Sequence, residues 1–103
     1  MIDIFVTYPT KKQAQKICGM LLKQRQAACV NFFPVESWYY WQGRLKKNRE
    51  YASLIKTHRR HFIAITRYIK QHHPDAVPCI FELPVGRVYP PYQQWLLKQT
   101  RLP

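Results

Sequence analysis

A chain of 103 residues that is 47% apolar and 15% aromatic has room for one domain, read as residues 1–103, and enough apolar mass for a core, which excludes a disordered tail. Seventeen Lys and Arg against five Asp and Glu give a formal net charge of +12, which excludes an acidic buffer protein and raises the question of an anionic partner. No apolar run approaches the roughly 18 residues of a bilayer span, and the Met1–Val6 run is short and carries an acid where a leader would be basic, so the expected compartment is the cytoplasm.

Ile2 to Val6 reads as a strand buried on both faces, ended by Thr7-Tyr8-Pro9. Thr10-Lys11-Lys12-Gln13 has the capping-box pattern, and Ala14, Ile17, Cys18 and Leu21 recur at helical spacing, predicting an amphipathic helix to about Gln24. Gly19 within it costs up to about 1 kcal/mol relative to Ala and suggests a close backbone approach. Ala27 to Trp41 is rich in aromatic and β-branched residues. Pro34 predicts two strand segments with a bulge or bend between them, because proline cannot donate to a ladder. Gln42-Gly43 supplies turn residues, and Arg44 to Thr57 returns as the partner strand of a long projecting hairpin.

Phe62, Ile65 and Ile69 mark a second helix from about Arg60 to Gln71, stopped because Pro74 pushes His73 out of the helical region. Val77 to Leu83 reads as a strand, and Tyr92 to Thr100 as a short C-terminal helix after Pro90-Pro91. The order β-α-β-β-α-β-α points to an α+β, ferredoxin-like sandwich with an extra C-terminal helix.

Candidate chemistry comes from histidine, cysteine and aromatic residues. His61 and His72 share a helical face but lie about 16 Å apart along it, too far to bind one ion within a subunit. His72 and His73 are adjacent where the helix ends, and spacing alone leaves a copper or zinc site and a solvated helix end both open. Cys18, Cys29 and Cys79 are an odd set without CxxC spacing, which fits neither a disulfide framework nor a zinc ribbon and implies reduced thiols. Cys18 belongs to the apolar stripe. No nucleophile with a neighbouring base is legible, so no enzyme is expected.

Trp38-Tyr39-Tyr40-Trp41 lies beside Arg44, Lys46, Lys47 and Arg49. Such interleaving can stack bases while cations track phosphates. It can equally mark a hairpin that buries its rings against another subunit. The second reading is preferred, because the Lys and Arg residues are spread along the chain and no RNP signature is present.

Taken together, Ala27-Ala28-Cys29-Val30-Asn31, Ser37-Trp38-Tyr39-Tyr40-Trp41-Gln42-Gly43-Arg44-Leu45, Leu54-Ile55-Lys56-Thr57, His73-Pro74, Val77-Pro78, Leu83-Pro84-Val85 and Tyr92-Gln93-Gln94-Trp95 resemble the CutA divalent-cation tolerance family, from about Ile4 to Arg101. The resemblance implies a non-enzymatic homotrimer that binds copper or another divalent ion or responds to metal, with no metal required for folding. It places Trp38, Tyr39, Tyr40 and Trp41 at the trimer interface and Lys56, Tyr92 and Trp95 at an inter-subunit cleft. The metal candidates are His72 and His73, with Cys29 or Cys79 as sulfur donors, and affinity is expected to fall below about pH 6.5 as imidazole protonates.

The family's copper site uses a cysteine at the end of the first strand, where this chain has Val6. Asp75-Ala76 stands where relatives have Tyr-Glu, Cys79 where they have Glu, and Lys46-Lys47-Asn48 where acids are common, although Glu50 remains. These changes remove hard oxygen ligands and add like charge near a cation, so the expectation is either a weaker divalent affinity or a preference shifted toward softer ions through Cys79. Trimerisation would triple the positive charge. An anionic ligand such as a nucleotide or nucleic acid is therefore the rival reading, and nucleic acid is the less favoured form of it.

Overall fold

The computed structural model describes residues 1–100; Arg101, where the family resemblance ends, lies outside the described residues. The elements follow in the order β1 (Ile2–Tyr8), α1 (Lys11–Lys23), β2 (Cys29–Trp41), β3 (Arg44–Thr57), a 3-10 turn (Arg59–His61), α2 (Phe62–His72), β4 (Ile80–Pro84) and α3 (Pro90–Gln99). The four strands form one antiparallel sheet in the order β2-β3-β1-β4. This is the expected α+β, ferredoxin-like arrangement.

Among the described residues only one face of the sheet is covered, which corrects the expectation that β1 is buried on both. Ile2, Ile4, Val6 and Tyr8 are buried with Ala14, Ile17, Cys18 and Leu21 of α1 and Ile65 and Ile69 of α2. Asp3, Phe5 and Thr7 alternate onto the other face and are only partly buried. A cross-strand hydrogen bond of 2.8 Å joins the buried hydroxyls of Tyr8 and Ser53.

The hairpin is one uninterrupted ribbon. Pairing runs without a slip from Cys29↔Lys56 to Trp41↔Arg44, with Pro34 opposite Tyr51, so the expected break at Pro34 is absent. β2 is an edge strand, where a residue without an N–H can sit with its nitrogen away from the ladder. Gln42 and Gly43 both have positive φ, 52° and 77°, as a two-residue type I′ turn requires.

Helix α1 starts as predicted: Thr10 Oγ1 accepts from Gln13 N at 3.2 Å and lies 3.1 Å from Gln13 Oε1. Gly19 departs from expectation, since a Cβ built there meets nothing within 4 Å. α2 ends at His72, and His73 is extended (φ −83°, ψ 137°) ahead of Pro74. β4 begins at Ile80 rather than Val77, because Pro78 brings no donor to a ladder. α3 begins two residues before Tyr92, since proline is well suited to a first helical turn. Its last turn is fastened by His61, whose Nε2 lies 2.8 Å from the Thr100 carbonyl. No helix among the described residues is long and apolar enough to cross a membrane.

Candidate functional site

The register of β1 separates the sequence-derived residues into two groups. Asp3 pairs with Lys56, which pairs in turn with Cys29. Val6 pairs with Ile80, next to Cys79. At about 3.3 Å per residue the two thiols are some 10 Å or more apart along the sheet. Cys29 and Cys79 are therefore not neighbours within one subunit.

The Tyr8 end of the sheet carries the larger feature. The hairpin overhangs it, and between the hairpin and the 75–79 loop lies a groove of about 880 Å³. Aromatic walls from Phe5, Trp38, Tyr39 and Trp41 surround Glu36, Glu50, Asp75 and the Cys79 thiol. Three of the chain's five carboxylates thus line one groove of a strongly basic protein. Partial burial pushes the Cys79 thiol above its usual pKa, and the Glu50 carboxylate adds to that rise by disfavouring a second negative charge nearby. A divalent cation would reverse both effects, because a coordinating thiol is deprotonated.

The histidine pair divides into two roles. His73 Nε2 lies 2.7 Å from the Thr7 carbonyl, and Nδ1 accepts from the Asp75 backbone N–H at 3.0 Å. Because Nδ1 accepts, Nε2 carries the proton and donates. The ring also stacks on Tyr8 at 5.4 Å between centroids. Ligation by His73 would require at least one of these bonds to break. His72 is exposed, stacks on Tyr68 at 4.1 Å, and places Nδ1 2.9 Å from the Tyr68 carbonyl, which leaves Nε2 open. Among the described residues, no three His, Cys, Asp or Glu side chains are already arranged to hold a metal ion. The groove concentrates donors without converging them on one point.

Three comparisons relate the chain to known proteins. A profile described as CutA1 divalent ion tolerance protein matches residues 2–99. The chain belongs to the CutA1 family. The divalent-cation tolerance protein CutA of Archaeoglobus fulgidus is 32% identical over 93 residues, covering 90% of this chain and 91% of that protein. The CutA of Yersinia pestis is 38% identical over 96 residues, covering 92% and 81% respectively. Among solved structures, CutA1 from Pyrococcus horikoshii superposes with a TM-score of 0.94 at 32% identity, covering 98% of this chain and 99% of that one. The A. fulgidus structure, described as periplasmic, gives 0.95 at 30% identity, covering 98% and 100%.

Against that CutA1 background, Val6 is fully buried under the helices, so the end of the first strand carries only methyl groups facing the core and offers no ligand. Lys56, Tyr92 and Trp95 lie instead at the opposite, Ile2 end. Lys56 Nζ is 3.9 Å from Asp3 Oδ1, and Tyr92 packs against Trp95 at 5.5 Å between ring centroids. Burial raises the Tyr92 phenol, and the nearby Cys29 thiol and Asp3 carboxylate raise it further. Lys56, Tyr92 and Trp95 thus join Cys29 and Asp3 in one cluster.

Asp3 and Glu36 went unrecognised in the sequence. An acid within the apolar Ile2–Val6 run was the available signal for Asp3; Glu36 gave none, because only the fold of the hairpin over the sheet brings it to the groove. The four hairpin aromatics are also divided by the pleat. Trp38 and Tyr40 alternate with Tyr39 and Trp41, so each pair occupies its own face of the ribbon.

Proposed function

We propose that this CutA1-family chain acts in divalent-cation tolerance by binding copper or another divalent ion in the groove beneath its hairpin, as a self-associated protein with a binding rather than a catalytic role. The observation that carries the reading is the gathering of Glu36, Glu50 and Asp75 beside Cys79 in a chain that is otherwise basic. Carboxylates supply hard oxygen donors and the thiol a soft one, a combination suited to borderline ions such as Cu(II) or Zn(II). Of the sequence-derived ligands, Cys79 faces the groove, and His72 keeps a free Nε2. Cys29 belongs to the opposite end and His73 to the packing of the Tyr8 end. Relatives at 32–38% identity are named divalent-cation tolerance proteins, which supports the same reading.

The assembly we propose is a homotrimer closed over the bare face of the sheet. Phe5 lies between Phe33 at 6.3 Å and Phe81 at 5.1 Å, and Leu83, Tyr39 and Trp41 extend this apolar surface, each at least 40% exposed. A surface of that kind marks an interface. A cytoplasmic location accords with three unpaired cysteines.

Titrating the protein with Cd(II) while recording thiolate-to-metal absorbance tests the reading. Absorbance that is lost in Cys79→Ser, kept in Cys29→Ser and weakened in Glu50→Gln supports it. Absorbance that disappears only with Cys29→Ser moves the site to the other end of the sheet.

A further inference from the structure

Charge in this chain is segregated by element. α1, the 3-10 turn and α2 carry eight Lys and Arg and no acid. The five carboxylates lie elsewhere, Asp3, Glu36, Glu50 and Glu82 on strands and Asp75 in the loop after α2. Of these, Glu82 points to the helix side, because it pairs with buried Ile4, but it does so at the β4 edge of the sheet, and Glu36 stands out on the hairpin opposite Arg49. Among the described residues the ion pairs are Lys56–Asp3 and the His73–Asp75 contact, so none neutralises a Lys or Arg of α1 or α2.

Helical spacing gathers this charge on one side. Lys12, Lys16 and Lys23 form a row on α1 directed away from buried Ala14, Ile17, Cys18 and Leu21, and Ile63, Arg67 and Lys70 form a row on α2 directed away from Ile65 and Ile69. Both helices pack on the same core, so both rows face outward together, with Arg59 at the start of the second. All six cations are exposed. Among them stands Ile63, 70% exposed and the most exposed large apolar side chain of the helices, while Met20 flanks the α1 row.

We infer that this outer helix face docks on the surface of an anionic lipid bilayer, with headgroup phosphates held by Lys12, Lys16, Lys23, Arg59, Arg67 and Lys70 and with Ile63 inserted between them. Charge complementarity selects an anionic occupant, and a cluster of this size on amphipathic helices matches what an anionic leaflet attracts. Ile63 selects the bilayer among polyanions: an aliphatic tip amid the cations gains by burial at the boundary of headgroup and acyl chain. Nucleic acid would neutralise the cations and leave Ile63 in water, and the outward rows offer a single strand no aromatic ring to stack on. A second copy of this face would set like charge against like charge. The helices lie across the sheet from the bare face proposed for self-association, and the groove is lined from the hairpin, β1 and the 75–79 loop, so docking here rests on neither reading.

The test is co-sedimentation of the full chain with vesicles of phosphatidylcholine containing phosphatidylglycerol, compared with vesicles of phosphatidylcholine alone. The chain should bind the anionic vesicles and leave the neutral ones. Lys12→Gln with Lys16→Gln, and separately Arg67→Gln with Lys70→Gln, should weaken binding about fivefold for each charge removed. Ile63→Ser should weaken it about fivefold or more without changing the charge. Arg87→Gln with Lys98→Gln removes as much charge outside α1 and α2 and should leave binding within about twofold of the parent. Circular dichroism and solution mass of each variant, matched to the parent, separate lost contacts from lost fold or assembly. Absence of binding to anionic vesicles at low salt would overturn the inference, as would equal binding to neutral ones or an equal loss in the Arg87, Lys98 variant. Tighter binding of a duplex oligonucleotide than of anionic vesicles, with Ile63→Ser affecting neither, would make nucleic acid the occupant and overturn it as well.

Discussion

His73 and Thr7, 66 positions apart in the chain, are joined by a 2.7 Å hydrogen bond from imidazole Nε2 to a β1 carbonyl, and this bond fixes the end of α2 over the end of β1. The ring is almost wholly buried and also receives the Asp75 N–H. His73→Ala should cost about 2 kcal/mol or more in chemical denaturation, since it removes a buried ring and leaves the partly buried Thr7 carbonyl and Asp75 N–H without their partner. His72→Ala should stay within about 0.5 kcal/mol of the parent, as an exposed substitution does. Copper affinity should drop in the His72 variant more than in the His73 variant, and the reverse order would return His73 to the ligand set.

Tyr8 ties the core to alkaline pH. Burial raises its phenol and, separately, the Cys18 thiol above their usual values of 10.0 and 9.0. Both groups stay protonated in the folded protein at pH values where the unfolded chain ionises, so the unfolded state loses protons first. Stability is therefore full below about pH 9 and declines as pH climbs past each unfolded value. Tyr8→Phe should remove part of that decline and lower stability at neutral pH by about 1 to 2 kcal/mol, because Ser53 loses its 2.8 Å partner. Denaturant midpoints measured from pH 7 to 11 check both effects.

Cys79 should react slowly with iodoacetamide at neutral pH despite its exposure, because the thiolate is the nucleophile and its formation is disfavoured. Glu50→Gln removes a neighbouring negative charge and should move the rate-versus-pH profile to lower pH. A profile that does not move would separate Glu50 from the thiol.

The bare sheet face should govern assembly. Phe81→Glu together with Leu83→Glu places charge among Phe5, Phe33 and Phe81, and light scattering should show the mass of the parent falling to that of one chain. A parent that already runs as a single chain would contradict the proposed trimer.

Much of the fold was legible because it depends on local periodicity. The stripe Ala14, Ile17, Cys18, Leu21, the Thr10 cap and the Gln42-Gly43 turn each need only a few neighbouring residues to be recognised. Pro34 misled because its effect depends on whether its strand is central or at an edge, which topology decides. β1 misled for a related reason: five consecutive residues with four apolar side chains look alike whether one or both faces are covered. The site was legible in part. Cys79 and Glu50 stood out in the sequence, but register alone sets Cys29 apart from Cys79, and only the overhang of the hairpin brings Glu36 to the groove. The hydrogen bonds that occupy both nitrogens of His73 arise from long-range packing, which residue spacing does not encode.

The most direct test of the groove is native mass spectrometry at near-neutral pH with one equivalent of Cu(II) per chain, run on the parent and on a Glu50→Gln, Asp75→Asn, Cys79→Ser variant. The parent should retain copper and the variant should lose it while keeping the same assembly mass. Equal copper retention by both proteins would contradict a cation site in this groove.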